Sequence, residues 1–153
     1  MTKTWDLDYF KYHEEWIDYT VKKLGDRESA TAFNMSTGIT SQLHRTDLPP
    51  GSIDLIEEVT ELVGGLEFNQ LRGVLLPKNN IVKPHEHISM VVVLYMPMTH
   101  TCTLEFIDPP ESIETVEGRA VEVAQGRRHW VSKNQNVERR VTMAVMFTAP
   151  TSA

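Results

Sequence analysis

The sequence has one cysteine in 153 residues, Cys102. A disulfide framework is therefore excluded, and a reducing compartment fits best. Positive charge is also scarce: 15 Lys and Arg stand against 21 Asp and Glu, a formal net charge of -6. A nucleic-acid-binding surface needs a basic stripe, so no nucleic-acid partner is expected. The one local cluster, Arg127, Arg128, Lys133, Arg139 and Arg140, has the size of a solvated loop or a small-anion site. Long hydrophobic runs are missing too. The longest, Met90 to Met98, falls far short of the roughly 20 apolar residues that span a bilayer. Met1 to Asp8 is polar with no apolar stretch behind it, so no secretory signal is expected. No repeat or low-complexity tract is present. These absences together predict a single soluble cytoplasmic domain over residues 1–153 that acts on a small molecule, without membrane or nucleic acid.

What is present divides in two. Residues 1–65 read as N-terminal helices and early strands. In "DLDYFKYHEEWIDYTVKKLG", Phe10, His13, Ile17, Val21 and Leu24 recur at helical spacing, with Tyr9, Tyr12, Trp16 and Tyr19 widening an aromatic packing face. Asp6 or Asp8 can cap its start, and Gly25 is a natural stop. "ATAFNMSTGITSQLHR" reads as one or two strands, and "LPPGS" as a turn in which Ser52 caps a shorter helix, "IDLIEEVTELV". Residues 66–149 form the β core. Short runs, "FNQLRGVLL", "ISMVVVLYM", "CTLEFI", "AVEVA", "HWVS" and "RRVTMAVMF", alternate with the turns "PKNN", "DPPES", "VEGR" and "KNQN". That pattern predicts a mainly β antiparallel sandwich or barrel. The strand from Ile88 to Met96 is apolar on both faces. Its outer face needs a cover, either the helices or a second copy of the chain in a homodimer.

Four residues carry chemistry. Side chains at i and i+2 of a strand share a face, so His85 and His87 in "KPHEHISM" can offer two imidazoles to one divalent ion, with Glu86 turned away. A third ligand must come from elsewhere. His129 follows the glycine turn at Gly126 and opens a strand, and Arg140 opens the next alternating strand.

This order resembles the double-stranded β-helix superfamily, the cupin-like jelly rolls that include Fe(II)/2-oxoglutarate-dependent oxygenases. Gly118, Gly126 and His129 fall in register with the second cupin motif, although Ala124 replaces its Pro and the Asn comes one place late, at Asn134. The first motif's Glu is absent, with Val91 and Val92 in its place. "HEHISMVVVLYMP", "LEFIDPP" and "RRVTMAVMF" are closer to small bacterial and phage oxygenases, in which an Arg-x-Ser/Thr strand follows the distal His. The resemblance covers roughly residues 70–148. It implies a jelly-roll barrel with N-terminal helices, in which His85, His87 and His129 hold Fe(II) or another divalent metal. Arg140, with Thr142 beside it, would bind the far carboxylate of 2-oxoglutarate. Arg suits that task because its planar fork matches a carboxylate. One departure matters: most such oxygenases have Asp or Glu where this chain has His87. Three neutral ligands resemble instead the three-histidine cupin dioxygenases, which work without 2-oxoglutarate, and a non-catalytic ligand-binding module is the third alternative. The other candidates read as structural. His13 belongs to a helical packing face, His44 to a strand, His100 to an exposed turn, and Cys102 to a strand as a small buried residue.

Overall fold

A computed structural model describes residues 1–24, 48–76, 81–133 and 140–149. The predicted strands in "ATAFNMSTGITSQLHR", His44 among them, lie outside these residues, as do Gly25, Arg139, the whole "PKNN" turn and all of the "KNQN" turn after Lys133. Strand β1 (Thr4–Asp6) precedes helix α1 (Phe10–Leu24), followed by helix α2 (Ser52–Leu62). The rest is β: β2 (Glu67–Leu76), β3 (Val82–His85), β4 (Met90–Tyr95), β5 (Thr103–Ile107), β6 (Pro110–Glu114), β7 (Arg119–Val123), β8 (His129–Val131) and β9 (Arg140–Thr148). Pairing is antiparallel and makes two sheets, β1-β7-β4-β9-β2 and β3-β8-β5-β6. Apart from the β5–β6 hairpin, neighbours in the sheets are not consecutive in sequence, so both sheets are assembled by crossing connections.

Period-two alternation on β9 explains how the larger sheet divides two cores. Thr142, Ala144 and Met146 turn inward. Ala144 and Met146 meet Val74, Val92, Leu104, Phe106, Val123 and Val131 between the sheets. Val141, Met143, Val145 and Phe147 turn outward; the last three pack with Trp16, Leu55, Val59, Leu71, Val93 and Tyr95 beneath the two helices. The two-sided apolar strand β4 follows the same logic. Val92 faces the barrel interior, and Val93 and Tyr95 face the helices. The helices therefore supply the cover that its outer face requires.

Helix α1 turns His13 and Trp16 of the predicted face inward together with Thr20, and Ile17 and Val21 pack against Leu75 and Val141, whereas Phe10 is 52% exposed. Steric and polar contacts centre the face. Gly73 on β2 has no side chain, and a Cβ there would stand 2.8 Å from Thr20, so the helix approaches the sheet closely at this point. Trp16 Nε1 donates to the Pro50 carbonyl at 2.7 Å, and His13 hydrogen-bonds the Tyr95 hydroxyl and, at 2.8 Å, Glu117. At the start of α2, Ser52 is not the cap. Gly51 takes the N-cap place in the left-handed conformation, and the Ser52 hydroxyl donates back to the Pro49 carbonyl at 2.6 Å. The "DPPES" turn is shorter than predicted, because Pro110 already opens β6 against Ile107. Among the described residues, no helix is long and apolar enough to cross a membrane.

Candidate metal centre

His85 and His129 meet because β3 and β8 pair antiparallel with these two residues directly opposite. The register shifts between Val82 and His85, and β3 ends at His85. His87 therefore lies just past the strand, held by backbone contacts from the β7–β8 turn. The Gly126 N–H donates to the His87 carbonyl at 2.8 Å, and Gln125 Nε2 donates to the carbonyl of Ile88. Gly126 has φ +73°, the left-handed conformation that lets the turn fold back on this segment. The result is one cluster. The ring centroids stand 4.3 Å apart for His85 and His129, 5.1 Å for His85 and His87, and 5.3 Å for His87 and His129. One ring nitrogen from each lies within 4.8 Å of the other two. Glu86 faces the other way and is exposed, 3.6 Å from Arg128.

The donor set suits a divalent metal. His85 Nδ1–H donates to the Lys83 carbonyl at 2.8 Å, and His129 Nδ1–H donates to the Arg127 carbonyl at the same distance. A carbonyl can only accept, so each ring carries its proton on Nδ1 and keeps the Nε2 lone pair for a ligand. Burial favours the neutral rings. It lowers the pKa of His129 to about 4, helped by His85, His87 and Arg127, and opposed by the carbonyl bond to Arg127. Burial likewise takes His87 down to about 4, helped by the charges of His85 and Arg72. His85 is also lowered, by burial first. Rings that stay neutral at physiological pH offer lone pairs without first releasing a proton. Arg127 anchors the turn that supplies one of those carbonyls. It lies 4.2 Å over the Phe106 ring, bonds Thr2 Oγ1 at 2.7 Å and the Pro109 carbonyl at 2.9 Å, and approaches Glu111 at 3.4 Å.

The histidines open onto a cavity between the sheets. Arg72, Val74, Val82, Val92, Leu94, Val131, Arg140, Thr142, Ala144 and Met146 complete its lining, which has no acidic member among the described residues. Arg140 is 2% exposed, and Thr142 likewise. A fully buried guanidinium ordinarily has a carboxylate partner, yet among the described residues none pairs with Arg140. Its Nε–H donates instead to His100 Nδ1 at 2.8 Å, while His100 Nε2–H donates to the Val141 carbonyl at 3.0 Å. His100 is thus neutral, and burial followed by the Arg140 charge holds its pKa well below the ordinary value. Sequence alone placed His100 in an exposed turn. It is 6% exposed, because its backbone N–H is tied to Thr115 and its ring is tucked against β9. Arg72 also escaped the sequence reading. On β2 it stands opposite Ala144, and alternation would have shown that it shares the inward face with Val74. Cys102 is buried and free, as expected of a small core residue. His13 belongs to the packing face under the helices, also as expected.

No protein-family description matches the chain, and no curated protein matches it. Solved structures do. A Pseudomonas putida prolyl-4-hydroxylase superposes with a TM-score of 0.71 at 12% identity, over 98% of this chain and 93% of its own. The fold is that of the cupin-like jelly rolls. A nickel complex of the non-heme monooxygenase ThoJ aligns with a TM-score of 0.62 at 12% identity, covering 92% of this chain and 70% of that one. The non-heme alpha-ketoglutarate-dependent epimerase SnoN of nogalamycin biosynthesis gives 0.51 at 13% identity, over 62% and 52%. At such identities the likeness establishes the jelly roll and leaves the reaction to the site.

Proposed function

We propose that the chain is a metal-dependent oxygenase of the Fe(II)/2-oxoglutarate type, hydroxylating a small molecule or a side chain. The observation that carries this reading is Arg140: a buried guanidinium without a carboxylate partner among the described residues, in the same apolar cavity as three converging histidines. A metal that binds a 2-oxo acid at one end leaves a free carboxylate at the other, and Arg140 is a fork of matching chemistry. The hydroxylase, monooxygenase and alpha-ketoglutarate-dependent epimerase among the similar folds support the same class.

In this account His85, His87 and His129 hold the metal through neutral imidazole nitrogens, and His85 and His129 are fixed by their carbonyl bonds. When bound, Fe(II) with 2-oxoglutarate and O2 supplies the oxidation, one oxygen atom entering the substrate while the oxo acid leaves as succinate and CO2. Arg140 fixes the far carboxylate, His100 holds Arg140 in place, and the Thr142 hydroxyl offers a second hydrogen bond. Val74, Val82, Val92, Leu94 and Val131 keep water from the reacting atoms. A homodimer and a cytoplasmic setting belong to the same proposal.

A second reading is favoured by His87. Three neutral ligands leave the metal its full charge, which suits a substrate that binds iron directly, as a three-histidine dioxygenase would use without 2-oxoglutarate. Anaerobic loading with Fe(II) followed by titration with 2-oxoglutarate separates the readings. The proposal expects a weak visible charge-transfer band that disappears in Arg140→Ala. Iron bound without such a band favours the three-histidine dioxygenase, and no stoichiometric metal leaves a ligand-binding module.

A further inference from the structure

The crossing from β7 to β8, residues 124–128, leaves the larger sheet and enters the smaller one at His129. On the way the Gly126 N–H donates to the His87 carbonyl at 2.8 Å, and the Arg127 carbonyl accepts from His129 Nδ1–H at 2.8 Å. Two of the three histidines therefore depend on where this short segment sits. The Arg127 side chain fixes it. Its guanidinium lies over the Phe106 ring at 4.2 Å and spreads its fork. Nη1 donates to Thr2 Oγ1 at 2.7 Å, and Nη2 to the Pro109 carbonyl at 2.9 Å and to Glu111 Oε1 at 3.4 Å. Thr2 closes the clasp, its hydroxyl and its backbone N–H both donating to that Glu111 oxygen, at 2.5 and 3.1 Å. Thr2 stands just before β1, an edge of the larger sheet, and Glu111 lies on β6, an edge of the smaller. The clasp thus fastens two sheet edges, with Arg127 at its centre. Phe106 links it to the histidine: it pairs with Glu111 on one side and His129 on the other, its ring centroid 5.9 Å from the imidazole.

We propose that Arg127 is a positioning residue of the metal centre. Held by Thr2, Pro109 and Glu111, it sets the place of its own carbonyl, and that carbonyl keeps His129 in the tautomer whose Nε2 can ligate. Thr2 acts through Arg127, so the segment before β1 governs a ligand on the other sheet. An arginine suits this place because a planar fork stacks on a ring and bonds along two edges at once, whereas an ammonium is a point charge. The inference rests on the three histidines being a metal centre, but not on the oxygenase reading.

Long-range nitrogen–proton NMR of the metal-free full chain at neutral pH reads the tautomer of each ring, and Co(II) titration against a chromogenic chelator reads affinity. In Arg127→Gln the Nδ1–H tautomer of His129 should lose its dominance, while His85, which bonds the Lys83 carbonyl of its own strand, stays unchanged. Co(II) should bind about tenfold more weakly, the low end for a lost outer partner, because the carbonyl itself remains. Arg127→Lys should recover little of this. Thr2→Val should shift both readouts the same way, and adding it to Arg127→Gln should make neither worse. Gly118→Ala, strained beside Phe10 and the Leu7 carbonyl, controls for lost stability and should leave both unchanged. Three results overturn the inference: an unchanged His129 tautomer in folded Arg127→Gln, a changed tautomer with unchanged Co(II) affinity, or an equal loss in Gly118→Ala. Additive losses in the double variant overturn the part given to Thr2. Should Arg127→Gln fail to fold, Thr2→Val decides alone by the same two readouts. A wild-type chain that takes up no Co(II) sinks the metal centre and the oxygenase reading with it. The NMR comparison then still decides whether Arg127 holds the ring, a shift supporting it and no change overturning it.

Discussion

His85 and His129 each give a ring N–H to the carbonyl two residues behind, and that local habit decides what the other nitrogen can do. Removing either ring takes away a ligand, so His129→Ala should weaken metal binding by more than about 100-fold, beyond the 10- to 100-fold typical of a lost outer partner. Metal titration against a chromogenic chelator measures it, and retention of near-native affinity would exclude His129 as a ligand. His100 acts one layer out. In His100→Ala the buried Arg140 Nε–H loses its acceptor, a change worth about 1–3 kcal/mol. The expected effect is roughly tenfold weaker 2-oxoglutarate binding with metal stoichiometry unchanged. Loss of metal together with the oxo acid would mean that His100 supports the whole fold. The H-x-H pair, His129 and Arg140 were legible in the sequence because their chemistry and spacing stand out. His100 was not, since a lone histidine in a Pro97-to-Thr101 turn gives no sign of which way its ring will point.

At the level of elements, glycines and the two helices decide whether the larger sheet is covered. Gly118 has φ +87°, and a Cβ there would stand 2.8 Å from Phe10 and 3.3 Å from the Leu7 carbonyl. Gly118→Ala should therefore cost about 1–3 kcal/mol through strain and crowding. Trp16, fully buried and bonded to Pro50, fixes α1 on the sheet, and Trp16→Ala should cost about 3–5 kcal/mol. Denaturant unfolding checks both, and a change below about 1 kcal/mol for Trp16→Ala would mean that α1 is not docked as described. The apolar runs revealed much of the β core in advance, β4 and β9 above all, because both faces of these strands are covered, one by the opposing sheet and one by the helices. The packing face of α1 was legible through His13, Trp16 and Ile17, and Phe10 lies outside it, because only Gly73 and the Pro50 carbonyl, distant along the chain, centre the face on Trp16 and Thr20.

At the scale of the whole molecule, burial holds His100 and His129 and partial burial holds His85 and His87 as neutral rings. Each has a folded pKa below the value of about 6.5 it takes in an unfolded chain. The unfolded state therefore binds more protons in that window, and the stability present above pH 6.5 is lost as pH falls toward about 4, where His87 and His129 titrate. Thermal melts of the metal-free chain should show Tm dropping across this interval, less steeply in His129→Gln. A melting temperature that stays flat from pH 7 to pH 4 would contradict the buried neutral cluster. The outer apolar face of the larger sheet is already covered by α1 and α2, so a dimer is not required to bury it. The central claim is that three histidines from β3, its downstream segment and β8 close on one metal ion, and metal stoichiometry tests it most directly. Fe(II)-loaded protein, desalted under anaerobic conditions and analysed by elemental mass spectrometry, should carry one metal per chain. His85→Ala and His129→Ala should carry almost none while remaining folded. Equal metal content in wild type and in both variants would contradict the account.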